Sequence, residues 1–247
     1  MYAIIGGSGL AKLSALESPR RQVMRTPYGE PSGALTFGLF AGTQVVVLAR
    51  HGYGHTLAPH EINYRANLWA LRELKVEGVL SVATVGGIRA DIGPGTLVVP
   101  DQIIDYTHSR KSTFFEGSEM PVIHVDFTEP YTPALRQRLL QAAAACGEPV
   151  IDGGVYACSQ GPRLETAAEI ERIARDGGDL VGMTGMPEAA LAREAELAYA
   201  TLGVAVNHAA GRGDSRHAIK LDELEEVMRA TMTRAVRILA AFFGGAR

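Results

Sequence analysis

Cysteine is nearly absent: the 247 residues hold two, Cys146 and Cys158. Two thiols make no disulfide framework, and a reducing compartment suits them. A basic excess is missing too. Lys and Arg number 24 against 27 Asp and Glu, a net charge of −3, so no face is advertised for nucleic acid. No apolar run approaches the ~20 residues of a membrane span. The chain enters a strand-like run at once, without a basic leader-like region. No internal repeat, low-complexity tract or composition break marks a linker. The expectation is a soluble, cytoplasmic protein with one domain over residues 1–247, with no nucleic-acid or membrane partner. Apolar residues at 47% and 28 glycines fit a compact α/β enzyme.

The chain is organised around Val181-Gly182-Met183-Thr184-Gly185-Met186-Pro187-Glu188. Leu180 and Val181 end an apolar run that reads as a strand, and 187–194 reads as a helix. Pro suits the first helical position, and Glu188 in the first turn would complement the helix dipole. Small residues, a hydroxyl and a flexible Met thus sit at a strand end facing a helix N-terminus. In open α/β sheets ligands bind at such ends.

Other apolar runs predict strands over 2–5, 78–87, 153–158 and 199–206, a further strand and loop over 97–105, and a hairpin from 35–39 and 45–48. Continuous apolar character over 78–87 suggests burial on both faces. Helical spacing covers 62–74, 133–146 and 221–243, and a helix runs through Ala168, Ile170 and Ile173. Thr166 and Glu169 are spaced as a capping box. Residues 106–120 are polar and aperiodic, a long loop of a length that tends to be functional or to pack on a partner. Strands alternating with helices give an α/β fold with a mixed, twisted sheet flanked by helices, the hairpin arguing against a purely parallel one.

Several strand ends carry polar chemistry. Gly6-Gly7-Ser8-Gly9 follows the first strand, where glycines let backbone N–H groups approach an anion. Its spacing fits neither a dinucleotide fingerprint nor a Walker loop. Arg50-His51-Gly52 ends the hairpin, which marks an anion site or a surface turn. Thr84 and the glycines after it make a second possible anion cradle. His51, His55 and His60 lack zinc spacing and have no cysteine nearby, so no metal site is expected. Glu165 stands just before the helix cap, free to point at a ligand.

Together these stretches resemble the trimeric purine nucleoside phosphorylase and methylthioadenosine phosphorylase family. The motifs that carry the resemblance are Gly6-Gly7-Ser8-Gly9, Arg50-His51-Gly52 with Asn63-Tyr64-Arg65-Ala66-Asn67, Val85-Gly86-Gly87-Ile88, Gly161-Pro162-Arg163-Leu164-Glu165-Thr166 and Gly182-Met183-Thr184. They span nearly the whole chain. The resemblance implies phosphorolysis of a purine nucleoside to free base and a ribose 1-phosphate. It implies a homotrimer, and no cofactor beyond inorganic phosphate as co-substrate. It puts phosphate at Ser8, Arg50, His51, Ala83, Thr84 and Thr184. It puts the nucleoside at Met183, Glu165, Asn207, Ala209, Leu221 and His124, the last reaching across from a neighbouring subunit. Asn207 and His51 stand nearest the chemistry. Many relatives carry a hydroxyl where this chain has Ala83, so the phosphate contact there falls to backbone or to Thr84.

The physical chemistry of the residues agrees. Arg50 offers a planar fork and His51 a second donor for a doubly charged nucleophile. Removing Arg50 or Thr184 is expected to spoil phosphate use with the fold intact. An ionised Glu165 accepts only, so it suits the N1–H of a 6-oxopurine, while the Asn207 amide can donate. An apolar Leu221 favours a 5'-methylthio group over a hydroxyl, although nearby His217 leaves that alignment open. The expected substrate is 5'-methylthioinosine. Methylthioadenosine or a general 6-oxopurine nucleoside is the alternative within the family, and a nucleoside-binding regulator is the alternative outside catalysis.

Overall fold

The computed structural model describes residues 1–7, 16–118 and 121–244, the side chains of 221–223 excepted. In chain order the strands and helices are β1 (Tyr2–Gly6), β2 (Glu17–Gln22), β3 (Leu35–Phe40), β4 (Thr43–Ala49), α1 (Tyr64–Glu73), β5 (Val79–Gly87), β6 (Leu97–Val99), β7 (Gln102–Asp105), α2 (Pro133–Ala145), β8 (Ile151–Asp152), β9 (Val155–Cys158), α3 (Ala167–Arg175), β10 (Leu180–Gly182), α4 (Gly185–Glu194), β11 (Tyr199–His208) and α5 (Leu221–Gly244).

The strands form one mixed sheet in the order β2-β3-β4-β1-β5-β10-β9-β7, with β11, β6 and β8 branching from β5. β5 is the hub. It runs parallel to β1 and to β11, and its last two residues pair antiparallel with β10. Successive side chains alternate between two cores, as strand geometry requires. Val79, Ala83 and Val85 face the core that includes Leu68, Leu71, Ala189 and Leu191 of α1 and α4. Leu80 and Val82 face the core that includes Leu135, Leu139, Ile238 and Leu239 of α2 and α5. Burial on both faces is why β5 reads as a continuous apolar run.

The expected mixed sheet with flanking helices is borne out, and so is the β3–β4 hairpin. Helix ends follow local chemistry. Asn63 caps α1 by accepting from the Ala66 amide, and Thr166 and Glu169 close the expected capping box on α3. In α4, Met186 departs from helical angles, so the regular helix starts at Pro187.

Two strands escape the hydrophobic pattern. β2 is a polar, wholly exposed strand at one sheet edge, paired with β3; charge protects such an edge from pairing with other chains. β7, inside the stretch 97–105 expected as one strand and a loop, is a second short strand at the other edge, parallel to β9. Among the described residues no helix is long and apolar enough to cross a membrane.

Candidate active site

The C-terminal ends of β1, β4, β5, β10 and β11 surround a cavity of about 470 Å³, a size suited to a small ligand. Gly7, Arg50, His51, Ala83, Thr84 and Thr184 line it, and so do Met183, Glu165, Asn207 and Ala209. Most of the expected site residues are therefore gathered in one place. Close packing behind the wall demands glycine. A Cβ at Gly182 would stand 2.2 Å from the Tyr156 hydroxyl, and one at Gly161 would stand 2.5 Å from Met183 Sδ.

Arg50 is not on a surface turn; it is 1% exposed. Nor is its fork free, as the sequence led us to expect. Nε donates to Glu188 Oε2 at 2.6 Å, and Nη2 donates to Glu188 Oε1 at 2.9 Å and to Ser81 Oγ at 2.7 Å. Nη1 donates to the Val82 carbonyl at 3.2 Å. That uses four of the five guanidinium N–H groups. The fifth, on Nη1, has no partner among the described residues, and Nη1 itself is 3.5 Å from where a Gly7 Cβ would stand. Burial works against the charge of Arg50, but the carboxylate of Glu188 outweighs it and holds the guanidinium firmly protonated.

Glu188 stands in the first turn of α4, as expected, but it also has a second role. It is fully buried, and it also accepts from Ser81 Oγ at 3.0 Å and from the Tyr199 hydroxyl at 2.8 Å. Burial, then the charge of Glu188, pushes the Tyr199 phenol well above its ordinary value. Removing Arg50 strands a buried carboxylate, so its loss is expected to cost stability as well as phosphate use.

His51 also differs from expectation. Nδ1 sits 2.8 Å from the Leu57 carbonyl oxygen. A carbonyl only accepts, so Nδ1 carries the proton. Burial lowers the imidazole from 6.5 to about 4. The ring is therefore neutral near pH 7, and Nε2, 3.5 Å from where a Gly7 Cβ would stand, presents a lone pair. His51 is an acceptor toward the cavity rather than a donor. Thr84 is the half-buried break in an otherwise buried β5, and Thr184 is buried at the β10–α4 turn. Ser8 lies outside the described residues.

Beside Gly86 of β5, a bulge in β11 presents Asn207. The β5–β11 register runs Ala205 to Val85 and then Asn207 to Gly86, leaving Val206 extra. Regular alternation would aim only one of Val206 and Asn207 at the cavity, yet both line it. Bulges re-aim side chains in this way. Asn207 Nδ2 donates to the His208 carbonyl at 2.6 Å, which fixes the amide orientation and leaves one N–H and Oδ1 over. Glu165 accepts a hydrogen bond from Ser159 Oγ.

The rest of the lining is mostly apolar, Leu57, Pro59, Ile219 and Leu224 among it, with His55 and Thr56 next to Leu57. The sequence did not single out those four apolar residues; Ile219 and Leu224 flank the Leu221 that it did. Leu221 opens α5, but its side chain lies outside the described set. His217 lines a neighbouring depression instead. His124 does not line the cavity of its own chain. It is exposed within residues 121–127, beside exposed Val122, Ile123 and Val125.

The long loop was flagged, but its key residue was not. Arg110 donates to the carbonyls of Met183 (2.8 Å), Met186 (2.6 Å) and Gln160 (2.7 Å), tying the β9 and β10 ends together. A cation amid carbonyls leaves no local signal in sequence. Among the described residues no group of three or more His, Cys, Asp or Glu side chains could hold a metal.

The arrangement has relatives. The sequence profile of the phosphorylase superfamily matches residues 1–244. The chain belongs to the phosphorylase superfamily. Within it, this phosphorylase is similar to a probable S-methyl-5'-thioinosine phosphorylase of Pseudomonas syringae pv. tomato, 52% identical over 97% of each chain. It is 46% identical to a 6-oxopurine nucleoside phosphorylase of Pyrococcus furiosus, over 97% of this chain and 90% of that one. A methylthioadenosine phosphorylase from Schistosoma mansoni in complex with adenine superposes with a TM-score of 0.93 at 31% identity, covering 100% of this phosphorylase and 92% of that chain. The chain is a nucleoside phosphorylase by class.

Proposed function

We propose that this enzyme phosphorolyses S-methyl-5'-thioinosine to hypoxanthine and 5-methylthioribose 1-phosphate. The observation that carries the reading is the presence of Glu165 and Asn207 in one cavity with Arg50, His51, Thr84 and Thr184. The polar end is built for an anion. Thr84, Thr184, the free N–H of Arg50 and the amides beside Ala83 are donors, and Ser8 completes the proposed set. His51 Nε2 accepts, so it suits the one P–O–H of a monohydrogen phosphate dianion.

A phosphate oxygen attacks C1' as the bond from C1' to N9 breaks. The electron pair of that bond passes to the purine, and the phosphate proton ends on the departing base. The remaining N–H of Asn207 faces N7 and stabilises the negative charge gathering there; a hydrogen bond to a charged group is worth roughly 1.5–3 kcal/mol. Glu165 accepts from the N1–H that a 6-oxopurine has and a 6-aminopurine lacks. Met183 lies against the ribose and Ala209 beside the base. Ile219 and Leu224, with Leu221 at the start of α5, suit a methylthio group, which needs no hydrogen-bond partner.

The similarity to the Pseudomonas syringae protein supports this substrate. A general 6-oxopurine nucleoside is the second reading, supported by the similarity to the Pyrococcus furiosus protein. The assembly belongs to the proposal: the exposed segment 121–127, with its apolar side chains and His124, suits a homotrimer in which this arm covers a neighbour's cavity. The reading also takes the chain as one cytoplasmic domain.

Initial rates with phosphate on methylthioinosine, methylthioadenosine, inosine and adenosine test the substrate. The highest kcat/KM is expected for methylthioinosine. Equal cleavage of methylthioadenosine would overturn the assignment at the base end, and no phosphate-dependent turnover would leave a nucleoside binder.

A further inference from the structure

We propose that Ser159 is the positioning residue that sets how Glu165 meets the base, and hence a determinant of 6-oxo over 6-amino specificity. The inference rests on the assignment of Glu165 to purine N1–H. Glu165 sits on the loop between β9 and α3, half-buried, with three side-chain torsions to be fixed. It also lines a second cavity of about 750 Å³ on the far side of that loop. An unheld carboxylate could turn into either space.

Ser159 holds it. The Ser159 backbone is pinned on both sides: its N–H donates to the Gly182 carbonyl at 2.8 Å, and its own carbonyl accepts from Arg110 Nη2 at 3.3 Å. The side chain is 9% exposed, so water competes poorly for its hydroxyl. Two acceptors lie within reach of Oγ, Glu165 Oε1 and, at 3.4 Å, the Gly182 carbonyl. A hydroxyl has one proton, and the closer, charged acceptor takes it. With Oε1 engaged in this way, the rotation of the carboxylate is set and Oε2 is the oxygen left for a ligand. A group pre-oriented in this manner loses less freedom when the base docks. The benefit falls on the nucleoside whose N1 carries a proton. A 6-aminopurine offers Glu165 a lone pair and gains nothing from the orientation.

The test compares Ser159→Ala, Ser159→Cys, Glu165→Gln and Ser159→Ala/Glu165→Gln, each assayed with phosphate on methylthioinosine and methylthioadenosine. Ser159→Ala should lower kcat/KM for methylthioinosine roughly tenfold, mostly through KM, and leave methylthioadenosine within about twofold. Ser159→Cys, nearly isosteric and a weaker donor, should move the ratio the same way. The double variant should discriminate no worse than Glu165→Gln alone, since Ser159 acts through the carboxylate. Equal losses on both substrates, or an unchanged ratio in Ser159→Ala beside a collapsed ratio in Glu165→Gln, would overturn the role of Ser159 while keeping Glu165 at the base. An unchanged ratio in Glu165→Gln would instead remove the assignment of Glu165, and this inference with it.

Discussion

Cutting one member of the Arg50–Glu188 pair should damage stability and phosphate use together. Both side chains are at most 1% exposed, and the pair is joined by two hydrogen bonds of 2.6 and 2.9 Å. Glu188→Gln keeps the shape of the carboxylate and can still accept from Ser81 or Tyr199. It leaves the guanidinium buried with no counter-charge. Arg50→Met does the converse to Glu188. Breaking a buried pair from one side costs about 3–5 kcal/mol. For a chain of this length each kcal/mol lowers Tm by roughly 2–4 °C, so either variant should melt roughly 6–20 °C below the wild type. Arg50→Met/Glu188→Leu removes both charges, and its loss should be smaller than the sum of the single losses.

Circular-dichroism melts with and without phosphate read the outcome, because a ligand that binds only the native state raises Tm. The single variants should lose most of the phosphate-induced rise, since the spare Nη1 proton is aimed by the other four bonds. Single variants within about 1 kcal/mol of wild type, or a double variant whose loss is strictly additive, would refute the account of the pair as a unit.

His51 makes stability depend on pH. The folded imidazole titrates near 4 and the unfolded one near 6.5, so between those values the unfolded chain binds the extra proton. Its contribution is fully present above pH 6.5 and is lost as pH falls toward 4; urea midpoints at pH 7 and pH 5 should converge in His51→Asn. Leu224→His should raise inosine against methylthioinosine by roughly tenfold, the scale of a few apolar atoms in a pocket, and an unchanged ratio would take Leu224 away from the 5' group. Glu165→Ser with Asn207→Asp should shift preference toward methylthioadenosine, read as a ratio of kcat/KM values. Sedimentation of the active protein should give a trimer, and activity in a monomer would sink the role given to residues 121–127.

What was legible in the sequence is what local pattern encodes. β5 and β11 announce themselves because burial on both faces forces apolar runs, and the α3 capping box is complete within four residues. The polar edge β2 has no such pattern, since nothing packs on it. The site divides along the same line. Thr84, Thr184 and Glu165 stand in motifs that can be read in place. The partner of Arg50 is 138 residues away, and the local setting of Glu188, just after a proline in a first helical turn, already accounts for a carboxylate there and so hides the pairing.

A buried cation is itself the missing signal. An arginine that closes the apolar run of an interior strand, and is buried there, requires a buried carboxylate somewhere in the chain. Of the acidic residues near strand ends, Glu188 sits at the helix start that β10 delivers beside β5. The donor or acceptor role of His51 is less accessible still. It turns on one backbone carbonyl, that of Leu57, placed by the turn after β4. The sequence therefore names the groups that face a ligand, while the direction in which each gives or takes a proton is written in the packing behind them.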